Sequence, residues 1–220
     1  MTQGLQMNKE ANAKYTITIV EDSRIHAEWL NAELSDNNFS VLNIYQYGKE
    51  AILAIKASTP DLVILDFQLK DITGLEVAKK IKLFNSAIKI FMLTAHTEIS
   101  IINRIITDKN IDALGIKSSP YFESNLISAI LHICDGGTYL DPSLLGKLRE
   151  SSSETNLTAL TQREFEIFIQ LNIGKSEEQI SHDLNIELAS VRNLKSKIAK
   201  KINRTKLAPL VSKLVKNAEK

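Results

Sequence analysis

The sequence predicts an α/β fold, a (βα)5 doubly wound parallel sheet, followed by a small all-α unit of four helices. Three observations carry this prediction. Through residue 135, short β-branched runs alternate with amphipathic stretches of roughly ten to fourteen residues. Strands so separated cannot pair as hairpins, which favours a parallel sheet covered by helices on both faces. From Leu157 on, strand-like alternation disappears and the pattern is helical only.

In chain order, strands are expected at Tyr15 to Val20, Phe39 to Tyr45, Leu62 to Leu65, Lys89 to Leu93 and Ala113 to Ile116. Helical periodicity falls between and after them, at Ser23 to Leu34, Lys49 to Ala57, Gly74 to Phe84, Glu98 to Lys109 and Phe122 to Cys134. Asp141 before Pro142 is a helix start, because Asp caps and Pro tolerates the first helical position, so a short helix is expected over Pro142 to Arg149. Beyond it "SSSETN" is a polar linker, which places a domain boundary near residues 150 to 156. "TQRE" from Thr161 and "SEEQ" from Ser176 have the form of capping boxes, so two helices begin at Gln162 and Glu177, with Gly174 placed to end the first. "LASVRNLKSKIAKKI" puts Val191, Leu194, Ile198 and Ile202 on one face, with Arg192, Lys195, Lys200 and Lys201 over the remainder. A fourth helix, from about Leu207 to Asn217, completes the unit.

A chain of 220 residues holds two modest domains, each with its own core. Apolar stretches such as "IKIFMLTA" are too short or too interrupted to span a bilayer, and the N-terminus lacks the pattern of a secretory signal, so a cytoplasmic protein with no membrane partner is expected. The single cysteine, Cys134, excludes an intramolecular disulfide and sits at helical spacing as a small core residue. The net charge of +1 hides an asymmetry: up to residue 150 there are 15 Lys and Arg against 18 Asp and Glu, and after it 12 against 8. Leu188 to Ala218 contains nine basic residues and no acid, the footprint of nucleic-acid binding as well as of a solvated basic face.

Asp66 follows four apolar residues in "LVILDFQLK", an odd place for a lone acid. In a doubly wound sheet, ligands bind outside the carboxyl ends of the strands, where strand order reverses. The first strand exits into Glu21 and Asp22, the third into Asp66, the fourth into Thr94 and the fifth into Lys117. Three clustered carboxylates repel one another unless a cation intervenes, and oxygen-only ligands suit magnesium. An aspartate beside such a cation is able to accept a phosphoryl group as an acyl phosphate, with Lys117 and the Thr94 hydroxyl meeting its oxygens.

These segments, "ITIVEDSR", "VILDFQLKDITGLEVAKKI", "IFMLTAH" and "ALGIKSSP", resemble the receiver domain of bacterial two-component response regulators. The resemblance implies a flavodoxin-like receiver over 14–136 in which Asp66 is the phospho-acceptor. It further implies that Glu21, Asp22, Asp66 and the carbonyl of Gln68 hold Mg2+, that Thr94 senses the phosphoryl group and that Lys117 contacts it. Lys70 departs from the family's usual proline and Leu114 from its usual aromatic switch residue, while His96 stands two residues after Thr94.

The C-terminal stretch from "LTALTQREFEIF" to "KIAKKINR" resembles the helix-turn-helix output domain of the NarL/FixJ (LuxR-type) regulators, here over 157–218 after a linker at 137–156. That likeness makes Leu188 to Ile202 the recognition helix. Ser190, Arg192, Asn193, Lys195 and Lys197 become candidates for DNA contact, Arg and Asn being able to read base edges while lysines mostly supply charge, and Lys200, Lys201, Arg204 and Lys206 fall to phosphates. Glu187 stands where a capping serine is usual. The implied partners are a sensor histidine kinase, double-stranded DNA and a second copy of the chain. Two alternatives stay open here: a receiver working without phosphorylation, and a magnesium-dependent phosphatase, whose second carboxylate is replaced by Gln68.

Overall fold

Runs such as "TITIV", "LVILD" and "KIFMLT" alternate too little for a sheet with one wet face. The structure, a computed structural model describing residues 14–151 and 160–202, buries them almost completely. The strands are β1 (Thr16–Val20), β2 (Ser40–Tyr45), β3 (Leu62–Asp66), β4 (Lys89–Thr94), β5 (Ala113–Ile116) and β6 (Tyr139–Leu140). Between them run α1 (Arg24–Asp36), α2 (Gly48–Ser58), α3 (Gly74–Phe84), α4 (Ile99–Thr107) and α5 (Phe122–Cys134). The sheet order is β2-β1-β3-β4-β5-β6. The pairs β1/β2, β1/β3, β3/β4 and β5/β6 are parallel. The chain steps from β1 out to β2 and then back past β1 to β3, so strand direction of travel reverses there and a crevice opens at the carboxyl ends of β1 and β3.

The described chain divides into two compact units at Thr94. In the first, the large side chains Ile17, Leu30, Leu34, Ile55, Ile64 and Phe91 are buried between sheet and helices. In the second, α5 and β6 are followed by α6 (Pro142–Ser151), α7 (Gln162–Asn172), α8 (Glu177–Asp183) and α9 (Leu188–Ile202). Thr161 with Glu164 and Ser176 with Gln179 both close reciprocal capping boxes, and Gly174 takes φ 84° just past α7, as the sequence predicts.

The ends of β1, β2, α1, α2, α4 and α6 lie one or two residues from the sequence expectation, and further differences bear on the site or the sheet. β3 and β4 each run one residue further, to Asp66 and Thr94, because both residues still complete the ladder or its end. β6 was expected as linker: Tyr139 pairs with Ala113 and Leu140 with Leu114, yet two residues are too few to display a period of two. Thr73 and Glu76 form a third capping box, at the start of α3. The fourth C-terminal helix expected near Leu207 to Asn217, with Arg204 and Lys206, lies outside the described residues.

Candidate functional site

β1 delivers Glu21 and Asp22 at its carboxyl end, and its neighbour β3 ends on Asp66. One carboxylate oxygen from each of the three lies within 4.8 Å of the others. Glu21 is 2% and Asp66 7% exposed, and Asp22 is half-buried. Three carboxylates this close, two of them largely withdrawn from water, repel unless a cation or proton sits among them. An all-oxygen set of this kind fits a hard divalent cation and not a thiophilic or imidazole-seeking one. Thr94, fully buried, ends β4 beside β3. Gln68 forms an isolated antiparallel bridge with Thr73, which folds the loop after Asp66 back on itself. Lys117, half-buried, directly follows β5 in the second unit.

The loop carrying the acid is held from several sides. Gly74 donates its N–H to Phe67 O at 2.8 Å, and a Cβ there would lie 2.3 Å from the Asp66 carbonyl oxygen. The Asp71 carboxylate accepts from the N–H groups of Gly48 at 2.7 Å, Lys49 at 3.0 Å and Ile72 at 3.0 Å. Desolvation pushes the Asp71 carboxyl upward, but the amides of Lys49, Gly48 and Ile72 outweigh it and hold it below its usual value. Lys70 donates to Gln46 Oε1 at 2.8 Å and lies 5.5 Å from the centre of the Tyr47 ring. The lysine that replaces a proline thus ties the loop to the start of α2 through its side chain. Leu114 is fully buried in β5, and His96 sits 3.3 Å from Glu98.

Two residues at this site escaped the sequence reading. Gly74 had only a position in a motif, with no sign that its missing side chain makes room for Asp66. His26 reaches Glu21 Oε2 with its ring Nδ1 at 2.7 Å, a spacing of five residues that belongs to no helical or strand period.

On α9, Val191, Ile198 and Ala199 face inward, while Arg192, Asn193, Lys197 and Lys200 are exposed. Ser190 is half-buried. Arg192 Nε and Lys195 Nζ each donate to Glu177 of α8 at 2.9 Å, and Glu178 lies 3.9 Å from Arg192. Hydrogen bonds from Arg192 and then Lys195 hold the Glu177 carboxyl below its usual value. Lys201 pairs with the buried Glu164 of the α7 capping box, so its amine is engaged within the domain.

The model of the response regulator receiver domain matches residues 17–128, and that of the bacterial regulatory proteins of the luxR family matches residues 158–214. The transcriptional regulatory protein DesR of Bacillus subtilis is 30% identical over 188 residues, covering 85% of this chain and 89% of DesR. The response regulator UvrY of Escherichia coli is 24% identical over 193 residues, covering 85% and 87%. Among solved structures, one of two RcsB dimers bound to two parallel DNAs superposes with a TM-score of 0.57 at 16% identity, covering 93% of this chain and 98% of that one. A LuxR-family response regulator from Aurantimonas sp. SI85-9A1 gives a TM-score of 0.57 at 23% identity, covering 62% and 96%. At these identities the structural likenesses speak for the fold alone.

Proposed function

From the premise that this chain belongs to the two-component response regulators that join a receiver domain to a LuxR-type DNA-binding domain, we propose that phosphorylation of Asp66 governs its binding to DNA. The observation that carries the reading is the convergence of Glu21, Asp22 and Asp66 within 4.8 Å at the carboxyl ends of adjacent strands. Asp66 Oδ attacks the phosphorus of a phosphohistidine on the sensor kinase. The P–O bond forms as the P–N bond breaks, and the electron pair stays on the imidazole, which takes up a proton. Glu21, Asp22, Asp66 and the carbonyl of Gln68 would hold Mg2+, which would supply positive charge to offset the phosphoryl oxygens. The Thr94 hydroxyl hydrogen-bonds one of those oxygens, and the Lys117 ammonium neutralises another.

The receiver occupies 14–136, a linker 137–156 and the DNA-binding domain 157–218. Phosphorylation of Asp66 shifts the receiver between two surfaces, one of which dimerises. A dimer then presents two recognition helices to half-sites about one helical turn, ~10 bp, apart. In this reading Ser190, Arg192, Asn193, Lys195 and Lys197 contact DNA, with Arg192 and Asn193 suited to base edges and the lysines supplying charge; Lys200, Arg204 and Lys206 are assigned to phosphates, and Lys201 reaches a phosphate only by leaving Glu164. Among the described residues no helix is long and apolar enough to cross a membrane, which fits a regulator working on DNA in the cytoplasm. Gln68, two residues after Asp66, is a carboxamide with no acidic proton to give a leaving group, which argues against a turnover phosphatase.

The test is labelling by acetyl phosphate or by a phosphorylated kinase. Wild-type protein takes up label and Asp66→Asn does not; equal labelling of both refutes the acceptor assignment. If acetyl phosphate leaves the DNA affinity of the labelled wild type unchanged, phosphorylation does not govern binding.

A further inference from the structure

His26 lies in the first turn of α1 and belongs to no recognisable motif. Its ring nevertheless reaches back to Glu21, which at 2% exposure has lost nearly all contact with water and depends on protein groups for its orientation. Both Glu21 oxygens are met: Oε1 accepts the N–H of Ser23 at 3.2 Å, and Oε2 faces His26 Nδ1 at 2.7 Å. An ionised carboxylate only accepts, so the ring nitrogen facing it carries the hydrogen. Each carboxylate oxygen has a second lone pair, so these donors leave Glu21 able to act as a ligand.

The imidazole is held in turn. The His26 backbone N–H donates to Ser23 Oγ at the helix cap, 3.5 Å away, and the ring stacks on Trp29 with centroids 5.9 Å apart and planes 8° from parallel. The result is a chain of fixed groups, Trp29 to His26 to Glu21, ending at the acid trio. Groups that orient metal ligands from behind set affinity because they fix the ligand before the ion arrives.

We propose that His26 is a positioning residue of the cation site: by donating to Glu21 it holds that carboxylate where, with Asp22 and Asp66, it takes a divalent cation. The proposal rests on the reading of the acid trio as a metal site. It is not a property of the acids alone, since it assigns a role to a side chain contributed by the following helix.

The test uses the full chain and Mn2+, followed by the loss of the six-line electron paramagnetic resonance signal of the free ion. His26→Phe keeps a ring against Trp29 and removes the donor; His26→Asn returns an amide N–H near the position of Nδ1. Should His26→Phe fail to fold, His26→Leu takes its place as the variant without a donor. The dissociation constant is expected to rise about tenfold for His26→Phe, the low end of the usual range for such supporting residues, and to return to within about threefold of wild type for His26→Asn. Unchanged affinity in His26→Phe, or His26→Asn binding as weakly as His26→Phe, overturns the assignment while leaving the metal site itself intact. Glu21→Gln separates the two failures. If wild type and Glu21→Gln bind Mn2+ equally, the acid trio is no cation site and the proposal falls with it.

Discussion

Gly74→Ala is expected to damage the protein, although on helix propensity it ought to help. Gly74 opens α3 with no left-handed φ, so alanine fits its backbone, and Gly to Ala in a helix ordinarily stabilises by about 0.5–1 kcal/mol. Space decides otherwise. The added Cβ would sit 2.3 Å from the Asp66 carbonyl oxygen and 3.1 Å from both the Asp66 carbonyl carbon and Met92 Sδ. Met92 is able to turn its sulfur aside, but the Asp66 carbonyl is main chain in the middle of a sheet. Ordinary contact begins near ~3.4 Å, so either the start of α3 or the end of β3 must move by about 1 Å, an overpacking cost of ~1–3 kcal/mol. The Gly74 N–H to Phe67 bond and the Thr73–Glu76 capping box resist the helix side of that movement. The displacement therefore falls on Asp66, and a misplacement of about 1 Å at a reacting group costs on the order of 10²-fold in rate. Urea unfolding should show a loss of ~1–2 kcal/mol, and acetyl phosphate labelling of the folded variant should slow by at least about tenfold. A midpoint at or above wild type with an unchanged labelling rate would refute the argument from space.

Asp141 is fully buried; it accepts from Ser143 N, Ser119 Oγ and Ile116 N at 2.9, 2.8 and 3.4 Å, so Asp141→Ala strands donors from two segments and should cost ~2–3 kcal/mol in urea unfolding. Glu177→Gln releases Arg192 and Lys195 from their acid, so binding to non-specific duplex should tighten and the salt slope steepen by about 1; an identical slope means neither cation reaches phosphate. Burial holds the His132 imidazole below its usual pKa of 6.5, with Asp135 pulling weakly the other way. The unfolded chain therefore takes up that proton first, and stability falls as pH drops from about 6.5 to the lowered folded value, then levels. His132→Asn should remove this slope when urea midpoints are compared between pH 7.5 and 5; equal slopes refute it.

Much of the molecule was legible in advance because its signals are local. Uninterrupted apolar runs mark strands covered on both faces, capping boxes mark helix starts at Gln162 and Glu177, and the rule that ligands gather at strand ends singles out Glu21, Asp22 and Asp66. What stayed illegible needed two distant segments to be placed side by side. Tyr139 and Leu140 become a strand only because β5 offers an edge; alone they show no period. Arg192 and Lys195 look like free cations in a run of basic residues until α8 brings Glu177 against them.

The sequence by itself therefore determined the order of elements, the two-part organisation and the acids that meet at one rim, since each follows from spacing along the chain or from the sheet's handed topology. Tertiary structure alone decided the partners: His26 behind Glu21, the empty volume of Gly74 beside Asp66, and Glu177 between two cations. Such contacts depend on ångström-scale placement of elements whose relative positions come from packing, and packing leaves no periodic trace in the order of residues.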